Sequence, residues 1–349
     1  MRSLLSIVPC MLLGWGLSLL GLPLAYMFGA IAAVIIAYRF RVAIEVPKHS
    51  LTVVQIVLGG AVGLTVKGLQ GEETRDIFLL LPFLFICLLL QFIIGYLWFN
   101  RKMGWSREES MLGAVPGAMA AVLALTDHTQ TQPQKIVISH TIRLVVLIII
   151  ASIIVGLNPS PATDLITESV SYSYAINSHT FSVIGWLSII AVGGYWLGRL
   201  LERIHVPAPY MLTSLVVAVL VHLLSATTLV MPDFLNALSM ALIGMRIGAS
   251  FISFPLSMLI SNIWSSIQAV FISLIVTILV ALVTAEIMDY PIDLLILAWA
   301  PGSMEAMLFA AIAMKVNVGI VMSSHIIRMS MLHVIPAIVL AFQERRRRS

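Results

Sequence analysis

The chain has 349 residues, 60% of them hydrophobic and only 10% charged, with a mean hydropathy of +1.04. Soluble domains carry about 25% charged residues, so a water-facing enzyme, a secreted disulfide scaffold and a disordered regulator are excluded, and the solvent is a bilayer. The formal charge of +4 comes from basic residues at the ends of apolar runs, not from a basic face with interleaved aromatics, which excludes nucleic acid as a partner.

Apolar windows of about 17–25 residues mark membrane helices. In chain order they fall at 4–20, 23–40, 51–68, 77–99 and 136–157, then at 181–200, 207–224, 236–253, 262–287 and 321–342. The first follows Met1 and Arg2 without a small-residue cleavage site and is read as a retained helix. Two further apolar segments, 108–126 and 292–313, are interrupted by Pro116-Gly117 and Pro301-Gly302. Between the two sets, 158–180 is rich in Ser, Thr, Asn and Pro and has no Lys or Arg. Cys10 and Cys87 lie far apart in apolar runs and read as small core residues.

The second set repeats the first. Pro116-Gly117-Ala118-Met119 returns as Pro301-Gly302-Ser303-Met304, and His140-Thr141-Ile142-Arg143 as His325-Ile326-Ile327-Arg328, both shifted by 185 residues. Gly59-x-x-x-Gly63 returns as Gly244-x-x-x-Gly248 and Pro47 as Pro232 at the same shift. Pro23-x-x-Tyr26-Met27 returns as Pro207-x-x-Tyr210-Met211 at 184. Five correspondences in register indicate an internal duplication.

Basic residues set the orientation. Arg39, Arg41 and Lys48 follow the second span, Arg101, Lys102 and Arg107 follow the fourth, and Arg345 to Arg348 end the chain. These belong in the cytoplasm, and 158–180 belongs outside. Passing from Arg107 to that loop takes an odd number of crossings, so 108–126 enters and leaves on one side. Each half then has five spans and one broken or re-entrant Pro-Gly segment, and the halves run in opposite directions. The expected fold is an all-α polytopic membrane protein of two inverted repeats. Residues 1–157 form the first repeat, 158–180 an extracytoplasmic loop, 181–342 the second repeat and 343–349 a basic cytoplasmic tail.

The duplicated Pro-Gly-x-Met segments, each followed by His-x-x-Arg, resemble the bacterial AbrB-type membrane duplication family over nearly the whole chain. This family is distinct from the soluble DNA-binding regulator of the same name. The resemblance implies a multi-pass inner-membrane protein, described in the family as a regulator or a transporter.

The candidate site follows from the breaks. Proline has no N–H to donate and glycine permits unusual backbone angles, so each Pro-Gly pair interrupts a helix. Broken backbone at bilayer depth survives only where protein or water satisfies it. In matching positions of two inverted halves it points to a transporter's binding site; the bland reading is a pair of ordinary kinks. Pro116, Gly117, Ala118, Pro301, Gly302 and Ser303 are therefore the expected substrate-binding elements. Arg246, mid-helix where the first half has Ala61, adds positive potential, and Glu305, where the first half has Ala120, is the candidate coupling residue. An Arg246–Glu305 structural pair is the competing account of both. His140, Arg143, His325 and Arg328 offer polar support, each pair on one helical face, although both arginines are near enough to helix ends to snorkel. The glycine motifs read as helix packing, and Tyr26 and Tyr210 as turn or interface residues.

No metal-ligand cluster, cofactor motif or Walker sequence is present, so no enzyme, cofactor or metal is expected. The function expected is secondary active transport of a small anionic solute across the bacterial inner membrane by alternating access, with both termini cytoplasmic. The alternative is a membrane-embedded regulator acting through a sensed ligand or protein partner. Expected partners are the lipid bilayer, the solute and a coupling ion, proton or sodium. The sequence leaves the substrate, the ion and any homo-oligomer open.

Overall fold

The structure, a computed structural model, describes residues 5–42, 44–65, 71–115, 133–157, 178–204, 206, 208–225, 229–252 and 256–331. Among these every regular element is an α-helix. The first half contributes α1 (Ile7–Ser18), α2 (Ala25–Arg39), α3 (Ser50–Thr65), α4 (Gly71–Arg101), α5 (Arg107–Ala114) and α6 (Pro133–Leu157). The second contributes α7 (Ser178–Arg203), α8 (Pro209–Leu224), α9 (Asp233–Ile252), α10 (Leu256–Met288), α11 (Ile292–Trp299), α12 (Met304–Ala313) and α13 (Val318–Met331). Residues 116–132 and 158–177 lie outside the described set, and with them Pro116, Gly117, Ala118 and most of the expected central loop.

Five stretches are long and apolar enough to cross a membrane: Ile77–Arg101, Ile138–Gly156, Val183–Arg203, Asp233–Ile252 and Asn262–Met288. The other five expected spans coincide with shorter apolar helices, α1, α2, α3, α8 and α13. At 1.5 Å per residue, the 16 residues of α3 or α8 rise about 24 Å, less than the roughly 30 Å hydrocarbon core.

Element bounds recur at the sequence shift. α5 and α11 begin and end 185 residues apart, and α4 and α10 begin 185 apart. The turn joining each long helix to its short successor is left-handed at Gly104 (φ 64°) and at Asp289 (φ 57°), again 185 apart. Glycine adopts this conformation without a Cβ clash, and aspartate tolerates it better than most residues. Leu24 (φ 54°) and Ala208 (φ 49°), just ahead of α2 and α8, share the same unusual backbone at a shift of 184.

The chain forms two compact units, each drawn from both halves. The first is Met1–Thr74, Ala151–Ile252 and Leu308–Gly319; the second is Arg75–Ile150, Ser253–Met307 and Ile320–Ser349. In the first unit α3 packs on α8 and α9 packs on α2, so each half's glycine helix rests on a helix of the other half. A Cβ on Gly59 would overlap the Met211 carbonyl, and one on Gly244 the Met27 carbonyl. One turn on, a Cβ on Gly63 would lie 2.6 Å from the Leu215 carbonyl oxygen, and one on Gly248 2.9 Å from Val34 Cβ. Both Gly-x-x-x-Gly motifs thus bring backbones close, as small residues do in membranes. Tyr26 and Tyr210 lie against Gly14 and Gly198, and the Tyr210 hydroxyl donates to Glu202 at 2.7 Å.

In the second unit the long helices are two-faced. α4 turns Leu80, Leu84, Cys87, Leu88 and Gln91 inward and leaves Phe78, Phe85, Ile86 and Leu89 exposed. α10 buries Ser266, Val270, Thr277, Ala281 and Thr284 and exposes Phe271, Ile275, Leu279 and Leu282. Both patterns have helical periodicity, and the exposed apolar stripes suit contact with lipid. Phe99 and Trp105 stack at 4.4 Å within a core that includes Leu112, Ala114, Ile136 and Ala269. α5 starts with a complete capping box, Ser106 with Glu109, which satisfies two otherwise orphaned N–H groups. α11 buries Leu294, Leu295, Leu297, Ala298 and Trp299 and stops there, with four residues between it and the start of α12. That interruption builds the site.

Candidate functional site

A proline at 301 leaves the Leu297 carbonyl, four residues earlier, without its helical donor. The last four carbonyls of any helix are likewise unpartnered, and here they are buried, since Leu297, Ala298, Trp299 and Ala300 are all 3% exposed or less. Gly302 N–H folds back to the Ala300 carbonyl at 2.8 Å. Ser303 then starts α12: its Oγ accepts from Ala306 N–H at 3.3 Å and donates to Glu305 Oε2 at 2.6 Å.

Side chains from two other helices supply the missing donors. His325 Nε2–H donates to the Leu297 carbonyl at 2.9 Å, taking the place of the N–H that Pro301 lacks. A carbonyl only accepts, so the proton is on Nε2. Arg328 donates from Nη1 to the Ala300 carbonyl and from Nη2 to the Gly302 carbonyl at 2.9 Å. Gln91 of α4 donates from Nε2 to the Trp299 carbonyl at 3.3 Å and to Thr277 Oγ1 at 2.8 Å. A fixed cation at the end of α11 also complements the negative end of the helix dipole. His325 and Arg328, one turn apart on α13, therefore hold the broken end of α11 as a unit.

The first half uses the same logic. Leu112 lies four residues before Pro116, and His140 Nε2 meets its carbonyl at 3.4 Å, 185 residues before the His325–Leu297 contact. Arg143 Nη2 donates to His140 Nδ1 at 2.7 Å, which keeps the proton on Nε2. The two arginines are thus used differently: Arg328 grips backbone at both sides of its break, whereas Arg143 orients a histidine.

Neither arginine snorkels. Arg143 is 8% exposed and Arg328 1% exposed, so the anchor reading of helix-end arginines gives way to buried, inward-facing groups. The reason is that broken backbone offers acceptors inside the protein that an intact helix would not. Arg143 feels the like charge of Arg328, and Glu305 is the one described carboxylate acting on either. Glu305 is half-buried. Arg246 belongs to the first unit, where its exposed side chain reaches Ser50 Oγ at 3.4 Å; Pro301, Gly302 and Ser303 belong to the second.

Among the described residues of the second unit, seven buried polar atoms lack a partner: Trp98 Nε1 and Gln268 Oε1, and around the site Gln91 Oε1, Arg143 Nε, Trp299 Nε1, His325 Nδ1 and Arg328 Nε. Native interiors rarely leave such groups unsatisfied. The arrangement can bind a polar, negatively charged group by hydrogen bonds and charge. Among the described residues no three His, Cys, Asp or Glu side chains gather as metal ligands. Sequence reasoning missed Gln91 and Thr277. Their one signal was polarity within long apolar runs, and Gln91 has Val276 as its counterpart in the other half, so the repeat did not mark it.

A family model described as "Transition state regulatory protein AbrB" matches residues 26–343. The chain belongs to this family, in its membrane-spanning form. The helical architecture and the apolar spans agree with that membership. None of the curated proteins matches the chain.

Proposed function

We propose that this AbrB-family protein is a secondary active transporter that moves a small anionic solute across the bacterial inner membrane by alternating access. The observation that carries the reading is the pair of buried guanidiniums, Arg143 and Arg328, with one half-buried carboxylate, Glu305, acting on Arg328. Uncompensated charge in a low-dielectric interior costs several kcal/mol per ion, and an anionic solute arriving at the breaks would offset it. Broken helices in matching positions of two halves are where transporter sites form. In this reading the halves are inverted, Ser303 and the first turn of α12 face the solute with Arg143 and Arg328, and Glu305 is the coupling residue, for a proton or sodium. Pro116, Gly117 and Ala118, which lie outside the described residues, and Arg246, which belongs to the first unit, remain candidate solute-binding residues. No catalytic step, cofactor or nucleic acid enters the reading.

The family's printed description favours a second reading, a membrane regulator. Such a protein needs a partner that co-purifies with it, whereas a transporter works alone in liposomes.

Inversion with cytoplasmic termini has a direct test. Cys10 and Cys87 are buried, so single cysteines can be labelled against a quiet background. Lys102→Cys, at an exposed position, is expected to react with an impermeant maleimide only after the membrane is opened. Ser171→Cys is expected to react in intact spheroplasts. Labelling of both from one side would mean parallel repeats and remove the inverted arrangement.

A further inference from the structure

We infer that a small cavity beside Arg143 is the subsite for one carboxylate group of the solute, an inference that rests on the transport reading above. The cavity lies wholly within the second unit and measures about 10 Å³, room for about one water-sized group. It is lined by Gly95 of α4, Gly113 of α5, Ser139 and Arg143 of α6, and Ser266 and Ser273 of α10. Two of the lining residues, Gly95 and Gly113, carry no side chain, and Gly113 lies against the Trp105 ring, where a Cβ would come within 2.8 Å.

Its chemistry is selective. Three serines and an arginine line it, in a wall otherwise built from the two glycines, Phe99, Ala114, Ala269 and Val270. Arg143 is nine-tenths buried, lines the cavity, and has no acceptor for its Nε–H. Ser266 Oγ donates to the Asn262 carbonyl at 2.7 Å and can turn that proton to a guest, as hydroxyls rotate to suit their partner. Fixed positive charge with rotatable donors rejects sodium and accepts an anionic oxygen. The volume takes one oxygen of a carboxylate and excludes a phosphate tetrahedron.

The two halves differ here in a way that assigns the roles. The counterpart of Arg143 is Arg328, whose two Nη groups are committed to the Ala300 and Gly302 carbonyls. Ser139 has a serine counterpart, Ser324, but Gly95 and Gly113 are matched by the larger Val280 and Ala298. Arg328, held on the backbone of the break, is thus the positioning arginine, and Arg143, which lines the cavity, is the ligand arginine.

The test is thermal stabilisation of the purified full-length protein in detergent by sodium acetate, with sodium chloride, sodium phosphate and sodium gluconate as comparisons. Acetate is expected to raise the melting temperature saturably, with gluconate and phosphate giving no saturable shift. Ser139→Ala/Ser273→Ala is expected to melt like the parent without ligand and to need about tenfold more acetate for half the shift, as the loss of a hydrogen bond or two requires. Arg143→Gln, if it folds, should lose the response, and the serine variant carries the test if it does not. Equal shifts with acetate and gluconate, a saturable response to chloride without one to acetate, or an unchanged acetate response in the serine variant would each overturn the subsite. Failure of the transport reading looks different: acetate still stabilises the protein through these residues, yet no carboxylate enters proteoliposomes.

Discussion

Arg328→Met is expected to destabilise the protein by about 3 kcal/mol, the largest loss of any single change at the break. Its side chain fills a similar volume but leaves the buried Gly302 carbonyl without its Arg328 donor and the Ala300 carbonyl with the Gly302 N–H alone. An orphaned carbonyl costs about 1–3 kcal/mol and a lost hydrogen bond to a charged group about 1.5–3 kcal/mol, and the sum is partly offset because a charge no longer has to be desolvated. Arg328→Lys should lie between the two, because one ammonium on a flexible stem lacks the planar fork that spans both acceptors. Equilibrium unfolding in mixed micelles measures the series. Wild-type stability in Arg328→Met would mean that the guanidinium does not hold the break.

The second large effect concerns a pair. His325→Leu is expected to cost about 2 kcal/mol, because it removes the donor that replaces the absent N–H of Pro301. In a Pro301→Ala background the alanine N–H can return to the Leu297 carbonyl, so the same histidine change should cost much less. A coupling of about 1–2 kcal/mol between the two positions is the expected outcome of a double-mutant cycle. Additive effects would mean that the histidine and the proline act independently. The His-x-x-Arg motif would then lose its role as a patch for broken backbone.

These two expectations mark where sequence reasoning reached and where it stopped. The 185-residue register, the helix positions and the Pro-Gly breaks are local patterns, and all are visible in the chain. The packing role of Gly59, Gly63, Gly244 and Gly248 was also legible, because small residues spaced four apart have few other uses in a bilayer. The partners of His325 and Arg328 were not. They lie 26 to 28 residues away on another helix, and no periodicity within α13 reports them. What could have been read is the arithmetic of the missing N–H: position 297 is four before Pro301, and a donor had to come from elsewhere. The sequence also gave no sign that the compact units would each mix both halves, since contact between helices distant in the chain leaves no mark in hydropathy. Arg246 stands out in sequence as a lone mid-helix charge, yet the buried arginines are the paired ones that looked like anchors, and Arg328 is the one on the described break.

The energetic logic of the site connects to transport through one consideration. Backbone held by protein donors is a rigid structural element, and Arg328, His325 and Gln91 supply such donors to the carbonyls of the second break. The first half keeps a cavity and an unpaired guanidinium edge at Arg143. Rigid support on one side and open binding capacity on the other suit a site that must hold an anion without losing its own shape.

The measurement that bears most directly on the central claim is uptake of a panel of labelled small carboxylates into proteoliposomes containing only this protein, under an imposed proton or sodium gradient. The account predicts saturable uptake of at least one of them, driven by one of the two gradients and lost in Arg143→Gln. Wild-type proteoliposomes that take up every carboxylate no faster than empty ones, under both gradients, would contradict it.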